Sequence, residues 1–131
     1  MFKKLFGGKK GNQPEIKEVI SVHENIAKSL ASLGPENWSL IKIGIKIFNG
    51  GRSFTFRCFL GEDMKVHFMD IPRELIRPIE DLFVRLHELS ALREETWVGC
   101  CFQVNNSGKY SCKFFYEEME VNEIADAEPC T

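Results

Sequence analysis

Residues Asp70 to Leu92 read DIPRELIRPIEDLFVRLHELSAL, and this stretch decides the fold. Leu75, Ile79, Leu82, Leu86 and Leu89 recur at steps of three and four, and Ile76 and Phe83 widen the apolar stripe. Arg73, Arg77, Glu80, Asp81, Arg85 and Glu88 fall on the other side, so the spacing predicts an amphipathic helix with one face for a core and one for water. Asp70 suits the N-cap, Pro72 the first turn, and Glu74 the positive end of the helix dipole. Pro78 conflicts with this pattern, because a proline in a helix interior costs about 3 kcal/mol. It predicts a helix that begins near Arg77, or a kink there. Such a helix needs an apolar surface to cover, and the flanking segments supply it.

Upstream, Ile41, Ile43, Ile45 and Ile47 alternate with Lys42, Gly44 and Lys46, the period of a half-buried strand. Asn49-Gly50-Gly51 is a hairpin signal, and RSFTFRCFL returns with Phe54, Phe56, Cys58 and Leu60 on one face. A two-residue turn at Asn49-Gly50 sets Ile45 opposite Phe54 and Ile43 opposite Phe56. A turn at Gly50-Gly51 shifts the pairing by two and still opposes apolar to apolar. A three-residue loop without a bulge sets Ile47 against Ser53 and forfeits the burial. Gly61-Glu62-Asp63 forms the next turn, which predicts Leu60 opposite Met64, Val66 and Phe68 on the buried face, and His67 on the outer face with Arg57. Downstream of the helix, TWVGCCFQV runs to Asn105, Asn106-Ser107-Gly108 turns the chain, and KYSCKFFYE returns. Pairing Asn105 with Gly108 sets Trp97 opposite Tyr116, Gly99 opposite Phe114 and Cys101 opposite Cys112. A first helix, roughly 15–33, shows Ile16, Val19, Ile20, Ile26, Leu30 and Leu33 on its apolar side and stops at Gly34-Pro35. His23 on this helix reads as a surface or packing residue. The order α-β-β-β-α-β-β predicts one α+β domain, an antiparallel sheet with its helices packed on one face. The expected boundaries are a flexible basic arm over 1–13, the domain over 14–120 and an acidic tail over 121–131.

The 131 residues suit a single domain, and 44% hydrophobic content with 11 Phe supplies its core. No run approaches the roughly 18 apolar residues of a membrane span, and MFKKLFGGKKG lacks the apolar region of a secretory signal. The five cysteines include no C-x-x-C pair and no histidine at zinc spacing, so reduced thiols in a cytoplasmic protein are expected. The net charge of −2 conceals four Lys within residues 1–10 and six acids without a base within 117–131. The neutral body between them argues against a direct nucleic-acid binder and suits a basic protein partner. The three His are scattered, and no nucleophile elbow, phosphate loop, dinucleotide fingerprint or zinc-protease motif occurs. The expectation is a binding protein without catalysis, cofactor or metal.

Several segments then fall together: Pro35 to Trp38, Asp70-Ile71-Pro72 opening the Ile79 to Leu86 helix, Thr96-Trp97, Asn106-Ser107-Gly108-Lys109-Tyr110, and Phe115-Tyr116-Glu117. In order and spacing, over roughly Ile26 to Glu120, the chain resembles the YezG-like immunity proteins. These are bacterial antitoxins of polymorphic toxin and contact-dependent inhibition systems, and they neutralise a cognate toxin domain, often a nuclease. The resemblance implies inhibition by occlusion and brings no catalytic residues with it. Because nucleases carry basic clefts, acids are the expected toxin contacts: Glu117, Glu118, Glu120, Glu123 and Asp126, with Glu62 and Asp63 as a second group. The same element order also resembles the dimeric type III secretion chaperones, by topology alone. That alternative implies a constitutive dimer, and the sequence leaves monomer or dimer open.

Overall fold

A strand with apolar side chains at alternate positions and polar ones between needs neighbours along both edges. β1 (Trp38–Phe48) has them. The computed structural model describes residues 12–48, 51–67, 71–94 and 96–127, and it places β1 at the centre of a five-stranded antiparallel sheet. Its neighbours are β2 (Gly51–Leu60) and β4 (Gly99–Asn105), with β3 (Lys65–His67) outside β2 and β5 (Tyr110–Phe115) outside β4. Helices α1 (Asn12–Ala31) and α2 (Arg73–Leu92) cover one face. A short α3 (Val121–Ala125) lies on the other. The α+β class and the expected order hold, with α3 added at the end.

The main core lies under the two long helices. Ile41, Ile43 and Ile45 of β1 and Phe102 and Val104 of β4 meet Ile26 and Leu30 of α1, Ile79, Phe83, Leu86 and Leu89 of α2, and Trp97. Across the top of the helix pair, Arg85 donates two hydrogen bonds to Glu18, at 2.7 and 2.9 Å. This lowers the pKa of Glu18 and raises that of Arg85. Both groups are in water, so the fork aligns the helices more than it stabilises them.

Helix α2 departs from expectation at two points. It runs unbroken from Arg73 through Pro78, and Pro72 itself stands at the N-cap with φ −59° and ψ 144°; the expected Asp70 cap lies outside the described residues. Its buried stripe, Ile79, Phe83, Leu86 and Leu89, lies within the expected one and centres on its Phe83 edge, so Leu82 is half-buried and Leu75 is 49% exposed. Helix α1 starts at Asn12, inside the span expected as a flexible arm, and ends at Ala31. Val22 joins its buried face while Ile20 points to water.

Hairpin registers follow the turns. β1 and β2 pair as expected, Ile45 with Phe54 and Ile43 with Phe56, and Phe48 opposes Gly51; the expected turn residues Asn49 and Gly50 lie outside the described residues. The β2–β3 turn holds four residues, not three, because Met64 takes a left-handed φ of 56° and joins the loop. Leu60 therefore opposes Lys65, and Val66 opposes Phe59 at 54% exposure. His67 moves to the Cys58 side, away from Arg57, and Phe68 lies outside the described residues. The β4–β5 loop holds three residues. The Asn105 side-chain oxygen accepts from the backbone N–H of Ser107 and of Lys109, both at 3.0 Å, and Gly108 supplies a φ of 90°. Asn105 thus closes on Lys109, and the register slips by one from the expected pairing. Phe114 opposes Cys100, Phe115 opposes Gly99, and Cys101 opposes Lys113. Cys112 meets Cys100 across the strands at a sulfur separation of 3.9 Å, a thiol–thiol hydrogen bond and no disulfide, not Cys101, which points to the other face. Cys130 lies outside the described residues.

Candidate functional site

The second face of the sheet alternates lysine with glycine along β1. Lys42, Gly44 and Lys46 project there, joined by Arg57 of β2 and Cys101 of β4. Onto this floor the chain after β5 lays a strap. A Cβ at Gly44 would stand 2.6 Å from the backbone nitrogen of Ala125, and one at Gly99 would stand 2.6 Å from Cδ1 of Ile124. The two glycines let α3 approach closely enough to bury Ile124 and Ala125 against Cys101, with Phe115 and Met119 at the rim. Residues 121–127, expected as an acidic tail, are therefore folded. Their apolar residues Val121, Ile124 and Ala125 follow helical spacing, and that pattern outweighs the surrounding charge.

The strap is fastened by polar contacts. Glu118 pairs with Lys46 at 2.5 Å, and the hydrogen bond raises the lysine pKa. Asp126 pairs with Arg57 at 3.3 Å, and Arg57 also donates to Asn122. Lys42, only 4% exposed, donates to the carbonyl of Ala127 at 3.0 Å. The Glu120 backbone N–H donates to the Glu123 carboxylate at the start of α3. Five of the expected contact residues are thus brought together: Glu117, Glu118, Glu120, Glu123 and Asp126 line one segment of one face. Glu62 and Asp63 are not among them. They sit in the β2–β3 turn, and no contact among the described residues links them to the strap. Glu128 lies outside the described residues.

A second feature was not predicted. A cavity of about 140 Å³ opens between α1, the C-terminal turns of α2 and the start and end of the β4–β5 hairpin. Val19 and His23 come from α1, Leu86, Leu89, Ser90 and Arg93 from α2 and its cap, and Trp97, Phe114 and Tyr116 from the hairpin. On two of its lining residues, His23 Nε2 and Trp97 Nε1 are buried without a hydrogen-bond partner among the described residues. His23 stands edge-on to Phe102 and Tyr110, and its burial lowers its pKa. Sequence spacing offered no signal for this grouping, because its residues come from three separate segments. Among the described residues, no three His, Cys, Asp or Glu side chains are arranged to hold a metal, and no helix is long and apolar enough to cross a membrane.

Neither a family model nor a curated protein matches this sequence.

Proposed function

We propose that this chain is an immunity protein of the YezG-like kind, which neutralises a basic toxin domain, most simply a nuclease, by binding across its active site. The observation that supports this reading is the strap. It holds five carboxylates on a folded segment while leaving them in water: the side chains of Glu118 and Asp126 stay 77% and 65% exposed even in their ion pairs. Lys42, Lys46, Arg57 and Lys113 share this face, so the five carboxylates exceed its cations by one, and Glu117, Glu120 and Glu123 form no ion pair among the described residues. An acidic array already fixed in place loses less conformational freedom on binding than a disordered tail would. It also attracts a basic cleft from a distance and sets the orientation of encounter. The reading assigns no catalysis and no cofactor to this chain, and it places the protein in the cytoplasm, where its own toxin would otherwise act.

The test is the association rate with the toxin domain encoded by the neighbouring gene, measured against ionic strength. Glu117→Lys with Glu120→Lys is the informative variant, because Glu118 and Asp126 also fasten the strap. Slowing of about tenfold at low salt, converging with wild type at high salt, is the expected result. Equal rates at low salt would remove the strap from the interface. A wild-type protein that fails to protect cells from that toxin would overturn the immunity reading. A constitutive dimer that captures an unfolded effector segment would replace it with the secretion-chaperone alternative.

A further inference from the structure

β4 and β5 bring two thiols together on the face covered by the long helices. Cys100 is fully buried, Cys112 is half-buried, and their sulfurs lie 3.9 Å apart. The contact follows from the register that Asn105 sets. With Cys100 opposite Phe114 and Phe102 opposite Cys112, the two cysteines share a face as diagonal neighbours. The other described thiols are set apart. Cys101 points to the opposite face, beside the Ala125 carbonyl. Cys58 lies two strands away on β2, level with Val104 of β4 rather than with Cys100. The paired sulfurs need to close by only about 2 Å more to reach disulfide bonding distance, and rotation about χ1 moves a sulfur by more than that. A diagonal pair stands at the long end of disulfide Cα separations. The remaining adjustment falls on β5, which ends the sheet.

We propose that Cys100 and Cys112 form a reversible oxidation site, which a low-molecular-weight disulfide converts to a cross-strand disulfide. Cys112, the less buried thiol, reacts first. Its thiolate attacks one sulfur of the incoming disulfide, that S–S bond breaks, and the first small thiol leaves with the proton that Cys112 gave up. Cys100 then loses its proton and attacks the Cys112 sulfur. The mixed S–S bond breaks, and the second small thiol leaves with the Cys100 proton. Two protein thiols are oxidised and one external disulfide is reduced to two thiols. The product ties β5 to β4 just before the strap begins. The site lies on the face opposite the strap and does not depend on the immunity reading.

Oxidised glutathione is the probe, applied to the folded full chain carrying Cys130→Ser, which leaves four of the five cysteines. Alkylation under denaturing conditions should then count two thiols in place of four, with the mass of two hydrogens lost. Trypsin cuts after Lys109 and Lys113, so Cys112 should emerge on the peptide Tyr110 to Lys113, joined to the peptide that carries Cys100 and Cys101. Cys101→Ser should keep the link. Cys100→Ala should stop at a glutathione adduct on Cys112, and Cys112→Ser, which leaves the buried thiol in place, should give neither link nor adduct. Excess reduced glutathione should restore all four thiols. An unchanged thiol count would overturn the proposal. So would a link that survives Cys112→Ser or is lost in Cys101→Ser, or a parent protein that stops at the glutathione adduct.

Discussion

An imidazole surrounded by rings sheds its proton more readily than one in water, and His23 faces Phe102, Tyr110 and Phe114 with Arg93 lining the same cavity. Burial holds its pKa below the ordinary value of 6.5. The unfolded chain therefore takes up a proton at a higher pH than the folded one. Stability from this group is complete above about 6.5 and falls as pH drops through that value toward the lower folded one. The urea midpoint should decline between about pH 7.5 and 5.5, and His23→Gln should reduce that decline. Identical declines in the two proteins would show that His23 titrates alike in both states. The sequence placed His23 on a helix and read it as a surface or packing residue. It could not show the ring cage, because Phe102, Tyr110 and Phe114 reach it only through the β4–β5 register.

At the scale of elements, α2 separates a correct period from a correct face. The repeat of three and four identified the helix, but it did not fix which edge of a broad stripe points inward, because Ile76, Leu82 and Phe83 satisfy the same spacing. Packing against Phe102 chose the edge that includes Phe83; their centroids are 6.0 Å apart and nearly perpendicular. Phe83→Ala should cost about 3–5 kcal/mol and the half-buried Leu82→Ala less than about 2 kcal/mol in denaturant titration. The reverse order would return the stripe to the face expected from sequence. Hairpin registers divide in a similar way. The register of β1 on β2 was legible from the alternation of Ile43 and Ile45 against Phe54 and Phe56. The other two turns each gained a residue, one through the left-handed backbone of Met64 and one through the side chain of Asn105. Neither residue type announces that role by spacing. Candidate contacts were legible as acids, but not the division between those that fasten the strap and those left over, since Lys46 and Arg57 lie far from them in sequence.

For the whole molecule, the sheet is covered on both sides, by two long helices on one and by an eleven-residue strap, Glu117 to Ala127, on the other. Truncation after Tyr116 should destabilise the protein by at least the cost of losing Ile124 from its site, about 2–5 kcal/mol. It should also cause self-association through the bared floor around Cys101 and Phe115. Thermal melting with sedimentation velocity reads both effects, and an unchanged melting temperature in a monomeric product would show the strap to be dispensable. The strap also bears on synthesis. β1 and β2 are neighbours in sequence, but Ile41 waits for Val104 and Gly44 for Ala125. The ribosome thus delivers the central hairpin long before the strand that completes it and the segment that roofs it. A nascent chain holds β1 with one edge open, and Lys42 and Lys46 stand beside that edge, where their charge repels the same strand on a neighbouring nascent chain.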